Sequence, residues 1–325
     1  MQEQKIEVRN ASRVFGKQHG PIMGRFRKPR PVVHALDGVN MTVAAGEVVG
    51  VVGESGCGKS TLGRLIAGLL PPSSGEVLHD GKALMAPDSK AARLDRLKVQ
   101  MIFQDPSSSL NPRLRVRDII GEAPLYHGLV SRRELPGYVA EQLRLAGLDP
   151  SVADRLPHEF SGGQRQRIGI ARALAVLPEV LVCDESVAAL DVSIQAQILN
   201  LLINLRKELG LTCIFISHDL SVVEHISDRV VVMYLGRVVE EATVEQLFER
   251  SAHPYTSALL AEVPRLDTGR RIYSAIQGEI PSPISPPLGC HFHPRCPFAM
   301  PICREVVPQL KAIETGHRAA CHLIG

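Results

Sequence analysis

The chain has 325 residues, 45% of them apolar and 22% charged, which is length enough for one large domain plus an appendage around a sizeable core. Lys and Arg total 37 against 34 Asp and Glu, and a net charge of +3 is too balanced for nucleic acid to be the main partner. No stretch reaches the roughly 18 uninterrupted apolar residues of a spanning helix, because Ala173–Cys183 is broken by Pro178 and Glu179.

The opening residues, MQEQKIEVRN, lack the basic start and apolar run of a signal peptide, so a cytosolic chain is expected. Next, Gly20 to Pro31 carries Arg25, Arg27, Lys28 and Arg30 around Phe26. This reads as a solvated loop, with contact to acidic lipid headgroups or a partner as the alternative. The apolar run Glu47–Gly53 is strand-like and ends in a Gly-rich turn, after which Ser60–Leu70 shows helical spacing up to Pro71 and Pro72. From Asp105 to Phe160 strand signals vanish, and helical spacing over Val116–Leu129 and Arg132–Ala146 predicts a helical insert. Val180–Asp184 and Thr212–Ser217 read as short buried strands separated by a helix from Ser193 to Leu209, an alternation that implies a parallel sheet covered by helices. After about Pro264 the segment IPSPISPPLG and an accumulation of His and Cys mark a compositional change. The predicted division is therefore 1–264 and 265–325, with the helical part at about 105–175.

The chemistry concentrates first at Gly53-Glu-Ser-Gly-Cys-Gly-Lys-Ser-Thr61, which fits G-x-x-x-x-G-K-S/T in the strand-before, helix-after setting that motif requires. Gly53, Ser55, Gly56, Cys57 and Gly58 would turn backbone N–H groups onto phosphates at the start of a helix, whose dipole favours anions. Lys59 is expected at the β- and γ-phosphates of ATP, Ser60 on Mg²⁺, and Thr61 in the same cradle. Cys57 is read as a small residue tolerated among glycines, against a redox-active alternative. Downstream a strand ends in Asp184-Glu185: one carboxylate is placed to hold Mg²⁺ and the next to polarise a water for attack on the γ-phosphate.

Upstream of that acidic pair, Phe160-Ser-Gly-Gly-Gln164 resembles the LSGGQ signature of ABC ATPases. The resemblance implies an α/β P-loop fold with an antiparallel β subdomain, a helical subdomain and a small Cys-rich C-terminal extension. It further implies that Gln104 senses metal and water, that Ala189-Leu-Asp191 forms the loop that aligns an opposite site, and that His218 contacts the γ-phosphate. Glu185, His218, Gln104 and Lys59 are then the catalytic set, and Phe15 is the candidate for stacking on adenine. In this family two ATPase domains bind head to tail, with Ser161, Gly162, Gly163 and Gln164 of each completing the other's site. One such set per chain therefore predicts a dimer.

The phosphate loop, Ile-Phe-Gln-Asp-Pro-Ser-Ser-Ser-Leu-Asn-Pro112, Ala-Leu-Asp-Val-Ser-Ile-Gln-Ala-Gln197 and His-Pro-Tyr-Thr256 together look like the dipeptide/oligopeptide importer ATPases. That resemblance covers nearly the whole chain. It implies a related ATPase as dimer partner, two integral membrane permease subunits, an extracytoplasmic solute-binding protein, and a peripheral position on the cytoplasmic face of the membrane. One departure is visible: Ser186 stands where the group typically has proline, which changes backbone stiffness but no catalytic side chain. A soluble ABC protein acting on nucleic acid and a redox- or metal-responsive regulator are the rival readings.

Of seven cysteines, Cys290, Cys296, Cys303 and Cys321 crowd the C-terminus with spacings of 5, 6 and 17 residues, and no tight C-x-x-C pair. Four thiolates suit either tetrahedral Zn²⁺ or a 4Fe–4S cluster, with unmetallated thiols as the third reading. The family resemblance implies the 4Fe–4S cluster. His291, His293, His317 and His322 are possible substitute ligands or hydrogen-bond partners of ligands.

Overall fold

A computed structural model of the chain describes residues 3–16, 32–83, 90–187, 190–262 and 278–324. The basic loop at 20–31 and Ala189 fall outside the described residues, as does the predicted boundary near 265.

In chain order come β1 (Gln4–Phe15), β2 (Val33–Ala44), β3 (Val48–Val52), α1 (Lys59–Ile66), β4 (Ser74–His79), β5 (Lys82–Ala83), α2 (Lys90–Leu97) and β6 (Val99–Ile102). The helical stretch follows with α3 (Pro106–Ser109), α4 (Val116–Tyr126), α5 (Leu135–Leu145) and α6 (Gly162–Leu174). Then come β7 (Val180–Asp184), α7 (Val192–Leu209), β8 (Thr212–Ile216), α8 (Leu220–Ile226), β9 (Arg229–Tyr234), β10 (Arg237–Thr243), α9 (Val244–Arg250), α10 (Pro254–Ala261), β11 (Lys311–Glu314) and β12 (His317–Ala319).

The larger sheet has the order β11-β12-β10-β9-β3-β8-β7-β6, parallel from β9 to β6 and antiparallel beyond β9. β3, β7 and β8 are buried at every position, which is why they read as continuous apolar runs rather than alternating ones. A second sheet, β2-β1-β4-β5, is antiparallel and buries Ile6, Val8, Val39, Met41 and Val43 against β3 and α1. The predicted parallel sheet is present; the antiparallel strands left no comparable apolar run, since one face of each is wet.

Helix ends differ from the periodicity by a few residues for local reasons. α1 stops at Ile66 rather than near Leu70 because Gly68 turns left-handed (φ 66). α4 stops at Tyr126, before Gly128 (φ 73), and α7 runs to Leu209, where Gly210 (φ 64) caps it behind Arg206 and Lys207. Lys5 pairs with both Asp80 (2.9 Å) and Glu179, tying β1 to the entry of β7, and Lys98 joins Glu179 at 3.2 Å.

Residues from 278 onward do not stand apart from this frame. β12 pairs with β10, His34 N–H donates to the Pro283 carbonyl (3.0 Å), and Phe292 lies in the same apolar cluster as Tyr234 and Tyr255. The fully buried Glu240 carboxylate accepts N–H bonds from Ala252 (2.7 Å) and His253 (2.9 Å) and a bond with His317 Nε2 (2.8 Å).

Candidate nucleotide site

The ends of β3, β7 and β8 bring together residues more than 100 positions apart. β3 runs into the loop Gly53–Gly58, and Gly53 (φ 149) and Gly58 (φ 108) are required there by space as well as by angle. A Cβ at Gly53 would sit 2.2 Å from the Met233 carbonyl oxygen, and one at Gly58 would sit 2.4 Å from that of Ala35. Lys59 is 4% exposed and donates from Nζ to the carbonyls of Gly53 (2.7 Å) and Glu54 (3.1 Å), so its ammonium is folded over the loop. Thr61 continues the same first turn of α1. Cys57 packs in the apolar cluster under the loop, and burial pushes its thiol up, which fits the packing reading and not a reactive thiolate.

Ser60 Oγ donates to Asp184 Oδ1 at 2.8 Å, bringing the two expected Mg²⁺ ligands into contact across the α1–β7 interface. Asp184 is 2% exposed and burial raises its pKa, against the opposing pull of Ser60, Arg64 and Lys59, and a buried carboxylate beside a serine hydroxyl suits a divalent cation. Glu185 follows with a left-handed backbone (φ 44), its N–H held by the Ile216 carbonyl at 3.0 Å. Its carboxylate lies between two groups predicted to act with it: Gln104 Nε2 donates to Oε2 at 2.6 Å, and His218 Nδ1 stands 3.4 Å from Oε1. Gln104 comes from the exit of β6 and His218 from the exit of β8, so three neighbouring strands deliver the triad. Ser186 is buried directly behind Glu185.

The signature turn is built differently. Ser161 Oγ caps α6 by accepting from Gln164 N–H (3.4 Å), and Gln164 Oε1 accepts from Ser161 N–H (3.0 Å), a closed capping box. Gly162 opens the helix, and Gly163 lies against Ile194 of α7, where a Cβ would meet Cγ2 at 2.5 Å. The hydrogen bonds of Ser161 and Gln164 close on one another, and both residues are exposed. Asp191 caps the start of α7, its carbonyl accepting from Gln195 N–H at 2.8 Å. Phe15 is 37% exposed at the end of β1, with the Arg13 guanidinium 4.9 Å above its ring.

Two partners of the phosphate loop come from far along the chain. Glu54 N–H donates to Tyr255 Oη at 2.9 Å, and the Glu54 carboxylate receives both terminal nitrogens of Arg295 at 2.7 and 2.9 Å. The His-Pro-Tyr-Thr segment carries a family resemblance in sequence, and its tyrosine reaches the loop across 201 residues.

The four C-terminal cysteines come from separate turns, and the Cys290 N–H donates to the Cys303 carbonyl at 2.8 Å. Burial pushes the Cys290 thiol up to about 11, with Cys303, Cys321 and Cys296 adding to the rise in that order. Burial likewise raises Cys296, with Cys321 and Cys303 adding to the rise, and Cys321, with Cys303 and Glu240 adding, while the N–H groups of Phe298 and Leu323 hydrogen-bond their sulfurs, as that of Phe292 does for Cys290. The nearby histidines have other partners: His291 Nδ1 bonds the Leu235 carbonyl (3.0 Å), His293 Nδ1 that of Cys290 (2.9 Å), and His322 Nε2 that of Val306 (2.9 Å).

The family model for "ABC transporter" matches residues 36–188, and the model for "Oligopeptide/dipeptide transporter, C-terminal region" matches 239–303. The oligopeptide transport ATP-binding protein AppF of Bacillus subtilis is 49% identical over 99% of this chain and 98% of its own length. The dipeptide transport ATP-binding protein DppF of Escherichia coli is 47% identical over 95% and 92%. Among solved structures, the ATP-binding cassette MJ0796, dimeric in a post-hydrolysis state bound to ADP and Pi, superposes with a TM-score of 0.63 at 29% identity, covering 74% of this chain and 98% of that one.

Proposed function

The chain belongs to the ATP-binding proteins of oligopeptide/dipeptide ABC transporters, and from that premise we propose how its residues bind ATP, hydrolyse it and couple hydrolysis to the uptake of di- or oligopeptides. Lys59 would exchange the Gly53 and Glu54 carbonyls for the β- and γ-phosphates, and Ser60, Asp184 and Gln104 would hold Mg²⁺, which would supply positive charge to the phosphates. The observation that carries the reading is the Glu185 carboxylate held between Gln104 and His218: there it accepts a proton from the attacking water while His218 stays beside the γ-phosphate. Phe15 is read as the adenine platform. Glu185→Gln should bind ATP with wild-type affinity and lose turnover on the order of 10²-fold or more; retention of turnover would overturn the assignment.

The partners follow from the same reading. Ser161–Gln164 completes the site of a second, related ATPase, and Asp191 aligns the two. A groove of about 650 Å³ near α2, α4 and α6, lined by Arg93, Arg96, Gln100, Phe103, His127 and Arg172 and by no acidic side chain, suits the membrane subunits on the cytoplasmic face. Among the described residues no helix is long and apolar enough to cross a membrane, so translocation belongs to those subunits and delivery of solute to an external binding protein. Co-purification of the chain with integral membrane subunits checks this arrangement.

In the division proposed here, 1–264 is the ATPase domain and 265–325 the extension. Cys290, Cys296, Cys303 and Cys321 are read as the ligands of a 4Fe–4S cluster: four thiols from separate turns, with the Cys290 N–H bonded to the Cys303 carbonyl, could each supply one thiolate. When bound, such a group cross-links a segment too small for a core of its own. Brown protein after anaerobic purification is expected; colourless protein with stoichiometric zinc would replace iron with Zn²⁺ on the same four residues.

A further inference from the structure

Glu54 places a carboxylate inside a loop whose work is to bind a polyanion. Left alone, that charge would oppose the phosphates it adjoins. Arg295 neutralises it with a two-pronged ion pair at 2.7 and 2.9 Å, from a side chain only 4% exposed. The guanidinium is itself held, lying 5.9 Å over the Tyr234 ring with Nη1 3.4 Å from Tyr234 Oη, and Glu54 N–H is anchored on Tyr255 Oη. Phe292 packs against both tyrosines, with ring centroids 5.3 Å apart in each case. Arg295 sits in the short turn His293–Arg295, between Cys290 and Cys296, and the Cys290 N–H donates to the Cys303 carbonyl at 2.8 Å.

We propose that Arg295 is a positioning residue for the phosphate loop, screening Glu54 so that the loop accepts nucleotide, and that the C-terminal cysteine segment thereby sets the chain's affinity for ATP. This rests on reading 53–61 as the nucleotide site. The ion pair does two things at once: it cancels the negative charge and it fixes the peptide whose carbonyl holds Lys59 before nucleotide arrives. A structural brace alone would do only the second.

The test is direct titration of the full-length purified chain with a fluorescent ATP analogue and Mg²⁺, together with steady-state kinetics of the assembled transporter. Arg295→Ala should weaken nucleotide binding about tenfold and raise KM with kcat little changed. The loss should shrink as salt rises, because the unpaired Glu54 charge is screened. Glu54→Gln combined with Arg295→Ala should recover most of the affinity, and Arg295→Lys should fall between wild type and Arg295→Ala. Cys303→Ser, which leaves the ion pair's own atoms intact, should weaken binding in the same direction. Wild-type affinity in Arg295→Ala, or a double variant as weak as the single, overturns the screening role; wild-type affinity in Cys303→Ser overturns control by the cysteine segment. Should Arg295→Ala fail to fold, Arg295→Lys and its salt dependence carry the same comparison. Lys59→Ala separates this from the underlying reading: if it binds nucleotide like wild type the site itself is misassigned, whereas its loss alongside an unaffected Arg295→Ala defeats only the proposal.

Discussion

The phosphate loop and the signature turn serve one reaction but are finished to different degrees within a single chain. Around the loop, Lys59 bonds the loop carbonyls, Ser60 meets Asp184, and Glu185 meets Gln104 and His218, across four strand ends, and Lys59 and Asp184 are almost wholly buried. The signature turn is exposed, and its hydrogen bonds close in a capping box. A helix N-terminus whose capping serine is already satisfied needs nothing more to fold, so its exposure is a matter of function rather than stability. One half of the site is wired by the fold; on the proposed reading the other is completed by a second ATPase.

That contrast can be broken in order of size. Ser161→Arg places bulk and charge on the exposed turn and should cost turnover on the order of 10²-fold, while ATP binding by the isolated chain stays at the wild-type level in titration. Equal loss of binding would mean the turn also serves its own chain's loop. On the wired side, His317→Leu leaves the buried Glu240 carboxylate without one of its three partners and should lower stability by roughly 2–4 kcal/mol in urea unfolding, with turnover of the folded fraction retained. Acid should act on the wired side too. Burial holds the His253 pKa down at about 4, below its ordinary 6.5, and its Nδ1 accepts from Tyr255 N–H at 3.0 Å, just behind the loop. With a depressed histidine the stabilisation is complete above pH 6.5 and drains away as pH falls towards 4, by roughly 2 kcal/mol at pH 5. His253→Phe should flatten that slope in denaturation measured across pH 4.5–7. The smallest effect is expected at Cys57: Cys57→Ala should cost about 1 kcal/mol in urea unfolding with turnover unchanged.

The nucleotide half was legible in the residues because its chemistry depends on local grammar. A phosphate loop needs glycine where φ is positive and backbone approaches closely, a lysine and a serine at fixed offsets, and an apolar strand before it, and all of these are consecutive. The same holds for Asp184-Glu185 at a strand end and for the capping box of the signature. Helix limits were less legible, because Gly68 and Gly128 end helices on backbone angle and not on hydrophobic period.

By itself, then, the sequence determined the chemical parts: the loop, the acidic pair, the signature, the family and four clustered cysteines. Tertiary structure alone decided which of them meet. Glu185 finds Gln104 and His218 only because β6, β7 and β8 are neighbours in the sheet, and β12 joins β10 across 77 residues between Glu240 and His317. The pairing of Arg295 with Glu54, 241 residues apart, left no trace in spacing or composition. A buried ion pair is specified by strand order and packing, and neither is written within any window short enough to read as a motif.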